Sequence, residues 1–227
     1  MIVRNWMQAD PVVIPSDTLV SEAKRILSEN NLHALPVVDN GRLRGLVTRA
    51  NLLRMGHFVL RKQNPDEYNY FVTRLKVRDI MVRNPATVQV GETMQQCLLK
   101  GQQLGVAQFP VLDGERVVGV ISANEIFQLA AHCLGAWEWR SGLTLAPVKL
   151  GPGVLGRIAD VAEAAGAVLQ ALYPIGHQDG HADGGYAEKK VVMRFHARDM
   201  ADVVAALEAA GFPVLESAEP VRPAMAA

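Results

Sequence analysis

Cysteine is nearly absent from this chain, and the two present, Cys97 and Cys133, are far apart in helix-like contexts. That spacing fits buried thiols in a reducing cytosol better than a disulfide framework. Net charge is missing too. Twenty-three Lys and Arg offset twenty-three Asp and Glu, which leaves no electrostatic footprint for nucleic acid or an anionic membrane. No apolar run approaches a membrane span, and no basic-then-apolar leader opens the chain, so a soluble cytoplasmic protein is expected. A converging set of acid, base and nucleophile is also lacking, which argues against an enzyme. Hydrophobic residues are plentiful, 49% of the 227. That is enough to bury a core in one large or two small domains.

What is present is a repeat. His33–Asn51, HALPVVDNGRLRGLVTRAN, returns as Ala107–Glu125, AQFPVLDGERVVGVISANE. Both copies run Pro-Val, Asp, a turn, a hydrophobic segment opening on Gly45 or Gly119, then Thr48 or Ser122. Asn51 or Glu125 follows that hydroxyl at the third position. A repeat this long with no internal gap signals two copies of one structural unit.

Residues 1–53 read as one small α/β unit. Val12–Ile14, between prolines, suits a short entry strand, and Ser16, Asp17 and Thr18 offer caps for the helix that follows. Leu19, Val20, Ala23, Ile26 and Leu27 share a helical face, ended by Asn30-Asn31. Leu35–Val38 and Leu43–Val47 are strands joined by Asp39-Asn40-Gly41, a strong hairpin signal. Arg49–Leu53 then starts a second helix that Thr48 is placed to cap. Residues 54–76 are a polar connector containing an amphipathic stretch of Tyr68, Phe71, Val72 and Leu75. Residues 77–133 repeat the unit, with Met81 on Met7, Pro85 on Pro11, and Asp113-Gly114 as the turn.

The remainder follows a different pattern. Residues 134–144 carry Trp137 and Trp139, suited to a packed hinge or an oligomer contact. Leu143–Leu150 is strand-like, Gly151-Pro152-Gly153 breaks it, and Val154, Leu155, Ile158, Val161 and Ala162 form a helical stripe ended by Gly166. Val168–Ile175 and Lys190–His196 are strand-like, Met200–Ala210 is helical and stopped by Gly211, and Phe212–Leu215 is the last strand. The order β-α-β-β-α-β is a ferredoxin-like split unit. The loop containing His177, Asp179, His181 and Asp183 offers metal donors. Its glycines make a loose hairpin tip, however, and no metal site is expected there. The Pro- and Ala-rich tail after Ser217 reads as disordered.

The two repeats resemble a tandem pair of CBS domains over roughly residues 1–133, on Gly45-Leu46-Val47-Thr48-Arg49-Ala50-Asn51 and Gly119-Val120-Ile121-Ser122-Ala123-Asn124-Glu125. The resemblance implies clefts that bind an adenosine nucleotide or related adenosyl compound (AMP, ADP, ATP or S-adenosylmethionine). In that family the hydroxyl at the helix N-terminus bonds a phosphate, and an Asp three residues later holds both ribose hydroxyls. Neither copy here has the Asp. Glu125 keeps a carboxylate one methylene longer, and Asn51 keeps one carbonyl acceptor without the charge. Arg49 is placed to offset that loss with a phosphate contact, and Asn124 lies within the second copy of the motif. Carried over residue by residue, Ile14, Thr87 and Val88 line the adenine pocket. Backbone contacts come from His33, Ala34 and Leu35 and, in the second copy, from Gln108 and Phe109. No side chain is assigned to catalysis.

The third segment resembles ACT domains through its element order and Pro152-Gly153-x-Leu155-x-x-Ile158. That resemblance implies a small-metabolite loop at Gly151, Gly153, Val154 and Leu155, and sheets that pair between subunits. Together with the Asn64-Pro65-x-Glu67-Tyr68 connector, the order of parts is similar to bacterial regulators of the acetoin-utilisation type. The expected organisation is a mixed α/β (α+β) chain. Residues 1–56 and 77–133 form the CBS repeats around a connecting helix at 57–76. A linker at 134–141 leads to an ACT-like domain at 142–217 and a tail at 218–227. The expected function is non-enzymatic sensing by a homodimer, without a cofactor, acting on a regulated protein partner. The alternative is a dimerisation scaffold with clefts that do not bind.

Overall fold

The Asp39-Asn40-Gly41 signal produces the turn it implies. Asn40 and Gly41 both take positive φ, 51° and 75°, and join strand β2 (Ala34–Asp39) to β3 (Arg42–Thr48). The computed structural model describes residues 1–54, 73–135, 140–176 and 188–219. The chain divides into two units, Met1–Leu129 and Ala130–Ala227.

In the first unit, helix α1 (Val20–Glu29) lays Val20, Ala23 and Leu27 on β2 and β3. Its cap is Leu19, without a side-chain bond. The expected caps Ser16, Asp17 and Thr18 fall short of the helix, which begins at Val20; the Ser16 amide donates to Asp39 Oδ1 at 2.9 Å. Val12–Ile14 is likewise less than a strand: only Ile14 forms a bridge, parallel to Val37. Helix α2 includes residues 49–54. The second repeat opens on a short helix, α3 (Val77–Ile80). Helix α4 (Met94–Leu104) follows, with a Thr93–Gln96 capping box and Gly105 in the left-handed conformation at its end. Strands β6 (Gln108–Asp113) and β7 (Arg116–Ser122) lead into helix α5 (Ala123–Leu134).

Each repeat completes its sheet with a strand from the other's entry segment. Strand β1 (Gln8–Ala9) pairs with β7, Gln8 opposite Val120 and Ala9 opposite Gly119. Strand β4 (Val82–Arg83) pairs with β3, Arg83 opposite Gly45. The sheets therefore run β2-β3-β4 and β1-β7-β6-β5, where β5 is Val88–Gln89. The cores exchange residues in the same way. Val3 is fully buried with Val88, Cys97 and Ile121, while Val77 is fully buried with Val20 and Leu35. The two repeats therefore share strands and core residues.

The exchange explains the glycines of the repeat. A Cβ at Gly45 would lie 2.5 Å from Met81 Sδ and 2.8 Å from the Val82 carbonyl oxygen. At Gly119 it would lie 2.5 Å from Met7 Sδ and 3.0 Å from the Gln8 oxygen. Only glycine lets the crossing strand come so near, and the same approach accounts for the paired methionines.

The second unit has the order β8 (Ser141–Lys149), α6 (Val154–Ala164), β9 (Val168–Ile175), β10 (Glu188–His196), α7 (Met200–Ala209), β11 (Val214–Ala218). Its antiparallel sheet runs β11-β8-β10-β9, the split βαβ arrangement. One sheet face, with Leu143, Leu145, Val191, Met193 and Phe195, is buried beneath Ile158 and Ala162 of α6 and Val203 and Leu207 of α7. Each such side chain stabilises by about 1.5–3 kcal/mol when fully buried. The last strand begins later than its pattern implies, because Phe212 points into this core before β11 starts.

Candidate functional site

The two copies of the hydroxyl motif sit at corresponding places, where β3 turns into α2 and β7 turns into α5. Glu125 is 3% exposed. Its Oε2 accepts from the Ser122 amide and the Ser122 hydroxyl, both at 2.6 Å. Its Oε1 accepts from Gln8 Nε2 at 2.8 Å. Ser122 Oγ in turn accepts from the Asn124 amide at 3.2 Å. The first copy repeats this arrangement. Asn51 Oδ1 accepts from the Thr48 amide at 3.1 Å and from the Thr48 hydroxyl, and the Asn51 amide donates to Thr48 Oγ1 at 3.2 Å. Both are capping arrangements in which the residue three positions on closes back onto the cap. Spacing of a hydroxyl and an acidic or amide residue three apart is itself a capping-box signal, and the sequence reading did not draw it out.

The other expected site residues divide into two groups. One group draws together across the repeats. Asn124 Nδ2 lies 2.9 Å from His33 Nε2, and the His33 carbonyl accepts from the Arg49 amide at 3.0 Å. In the second copy the Ala107 carbonyl accepts from the Ala123 amide at 2.9 Å, so the residue before each Pro-Val strand touches its helix start. The other group is held elsewhere. Ile14, Leu35, Val88 and Phe109 are core residues, each 3% exposed or less. Ala34 and Gln108 are strand partners of Thr48 and Ser122. The Arg49 guanidinium turns to the end of α1, donating to the carbonyls of Leu27 at 3.4 Å and Leu32 at 3.1 Å. It serves as a C-terminal cap there, as a cation at a helix end favours.

Beside Ser122 lies a cavity of about 290 Å³, largely apolar, bounded by Cys97, Gly101, Phe109, Ile121 and Ile126. Burial and the nearby Glu92 carboxylate push the Cys97 thiol upward, which keeps it protonated. A cation near this site escaped the sequence reading: Lys100 Nζ donates to the Thr87 carbonyl at 3.0 Å and pairs with Glu92 at 3.0 Å. Its position one turn along α4 from Gln96 was the only signal available.

In the second unit, Gly153 is the N-cap of α6 at φ 76°, which only glycine adopts without strain. Pro152 therefore precedes the cap instead of opening the helix. Gly151 accepts from the Val154 amide at 3.3 Å. Val154 and Leu155 pack on the core. His177, Asp179, His181, Asp183, Trp137, Trp139 and most of the 57–76 connector lie outside the described residues. Among the described residues, no three His, Cys, Asp or Glu side chains gather as metal ligands. No helix among them is long and apolar enough to cross a membrane.

Comparison with known proteins agrees with this geometry. The model of the CBS domain family matches residues 3–57 and 77–132. A CBS domain-containing protein of Dictyostelium discoideum is 28% identical over 136 residues, 59% of this chain and 94% of that relative. Further curated relatives, enzymes among them, match over 12–43% of their own length. The crystal structure of a putative acetoin utilization protein from Vibrio cholerae shares the fold at TM-score 0.52 and 19% identity, over 60% of this chain and 96% of that one. The CBS domain pair of protein MJ0100, crystallised with 5′-methylthioadenosine and S-adenosyl-L-methionine, is 24% identical over 58% of this chain and 97% of that one, at TM-score 0.48. The family match ends at residue 132, near the start of the second unit. Its resemblance to ACT domains rests on its own strand order. The chain thus carries, at residues 3–57 and 77–132, a tandem pair of CBS domains.

Proposed function

We propose that this chain is a non-enzymatic sensor whose CBS pair binds an adenosine-containing small molecule, with the Ser122–Glu125 end of the second repeat as the principal site. One observation carries the reading. The same hydroxyl-plus-acceptor cap stands at both helix starts, and at the second it adjoins an apolar cavity of about 290 Å³. That volume suits a purine ring, since ligand pockets commonly begin near 300 Å³. The Ser122 hydroxyl and the first amides of α5 face the phosphate or other polar end. Glu125 supplies the ribose contact by exchanging its bond from Gln8 for bonds from the sugar hydroxyls. The Thr48–Asn51 site is weaker, because a neutral amide replaces the carboxylate and Arg49 is turned to α1.

The second unit, read as an ACT-like domain over 142–217, senses a small metabolite at Gly151–Leu155 or joins two copies of the chain. A cytoplasmic homodimer acting on a protein partner completes the reading. Two states with different affinities for the adenosyl ligand are what such coupling requires.

The test is isothermal titration of the full chain with AMP, ADP, ATP and S-adenosylmethionine, with inorganic phosphate as control. Wild type and Glu125→Gln are compared. Binding that weakens in the variant supports the reading and places the site. Binding that persists unchanged moves it to the Thr48–Asn51 end. A second reading, a dimerisation scaffold with silent clefts, is favoured by the complete internal bonding of Glu125. Absence of heat with every adenosyl compound leaves that reading standing.

A further inference from the structure

The sheet of the second unit has a second face, and it is not apolar. Side chains alternate across a strand, so the core residues Val191, Met193 and Phe195 place Val192 and Arg194 on the opposite side of β10. Strand β10 lies between β8 and β9, which puts Arg194 near the middle of the sheet. Its neighbours across the strands are Gly142 and Ala171. Both are small, and a Cβ at Gly142 would stand 3.2 Å from an Arg194 guanidinium nitrogen. The guanidinium therefore lies in a trough cut by the smallest residues of the two flanking strands.

Two buried side-chain polar atoms among the described residues have no hydrogen-bond partner: Arg194 Nε and the Tyr173 hydroxyl. Both belong to this face. Tyr173 is two residues beyond Ala171 on β9, hence on the same side and diagonal to Arg194. A buried donor without a partner is destabilising, and two of them on one face of neighbouring strands call for an acceptor. The remaining bond of Arg194 is a long one, Nη to the Gly135 carbonyl at 3.5 Å. No carboxylate of the described residues pairs with it within 4.0 Å. Next to it opens a cavity of about 370 Å³ whose described lining adds Arg140, His132, Gln170 and Cys133 to Arg194, with no acidic residue among those described. A smaller hollow that Arg194 also lines, about 190 Å³, has Glu216 as its one carboxylate among the described residues.

We propose that this trough binds a small metabolite through an oxyanion group, a carboxylate or a phosphate monoester. Its oxygens accept from Arg194 and from the Tyr173 hydroxyl. A planar guanidinium presents parallel donors to two oxygens of such a group. The Arg140 side chain also lines this cavity. The site is separate from the Gly151–Leu155 loop, which lies at the start of α6. It is also independent of the adenosyl reading of the CBS pair, since it is built wholly from residues after Ala130.

The test is titration of the full chain with succinate and with inorganic phosphate, each at constant ionic strength balanced with chloride. Wild type, Arg194→Gln and Tyr173→Phe are compared, with circular dichroism to check folding. The expected result is saturable binding of one probe to wild type, weakened about tenfold or more in Arg194→Gln and several-fold in Tyr173→Phe, as loss of charged and neutral bonds requires. Which probe binds distinguishes carboxylate from phosphate. Tyr173→Phe removes only a hydroxyl, so it keeps the test decisive if Arg194→Gln does not fold. Failure of both probes to bind wild type overturns the proposal, as does wild-type affinity in folded variants. Neither probe contains adenosine, so such a failure leaves the CBS reading untouched.

Discussion

Replacing Glu125 tests whether the caps at the helix starts are structural members as well as ligand groups. The carboxylate is 3% exposed and accepts three bonds, two from Ser122 and one from Gln8. Glu125→Ala removes all three. It leaves the Ser122 amide buried without a partner and the Gln8 amide without its acceptor. At about 1 kcal/mol net per bond, the expected loss is about 3 kcal/mol. Glu125→Gln retains one carbonyl oxygen for the Ser122 amide, and the Gln8 amide can rotate to present its own oxygen. About 1 kcal/mol is expected there. Urea unfolding of the full chain, followed by a signal from the first unit, measures both. An alanine variant within about 0.5 kcal/mol of wild type would refute the reasoning, since it would mean that the bonds are made in the unfolded chain or replaced by water at no cost. The same arithmetic explains why glutamine is the better probe of binding: alanine would confound lost affinity with lost fold.

Other expectations follow from the same geometry. Gly45→Ala should cost about 1–3 kcal/mol by overpacking against the Val82 carbonyl. Gly119→Ala should cost less, and Met7→Ala should partly restore it; a restored Gly119→Ala protein in chemical denaturation supports the exchange of strands, and no restoration counts against it. Gln8→Ala frees one oxygen of Glu125 and should tighten adenosyl binding several-fold, on the order of 1 kcal/mol; calorimetry showing unchanged or weaker affinity removes Gln8 from the account. A thiol reagent at pH 8 should modify Cys133 rapidly and Cys97 only on unfolding, because Cys97 is buried and its thiol is pushed upward. Asp39 is held below the usual carboxylate range, chiefly by the Ser16 amide. Its contribution is present above the unfolded value, about 3.9, and is lost as pH falls through the lower folded value. Asp39→Asn should therefore lower Tm at pH 7 and converge with wild type in acid. Equal Tm values for the two proteins at pH 7 would contradict that assignment.

Local chemistry was the legible part of this chain. The Asn40-Gly41 turn, the Pro-Val strands, the stripe through Val20, Ala23 and Leu27, and the β-α-β-β-α-β order of the second unit all follow from patterns a few residues long. The exchange of β1 and β4 was not legible, because a two-residue strand carries no periodicity and its partner is more than a hundred residues away in one case. The clue was present in the Met7 and Met81 correspondence, which marks what fills the notch left by each glycine. At the site, the hydroxyl positions were found but their partners were not. Arg49 was expected at a phosphate and instead caps α1, because the end of that helix presents two carbonyls within its reach. Arg194 and Tyr173 escaped notice since alternation along β10 assigns them only to the side away from the core. Their common isolation from partners becomes visible only when the strands are set in register.

The central claim, that an adenosyl compound binds at the start of α5, is tested most directly by the amide resonances of that turn. In the labelled full chain, titration with the tightest of the four adenosyl compounds should shift the amides of Ser122, Ala123 and Asn124 with one saturation curve, and phosphate alone should shift them less. Binding that leaves those three amides unmoved while others respond would contradict the account and place the site elsewhere.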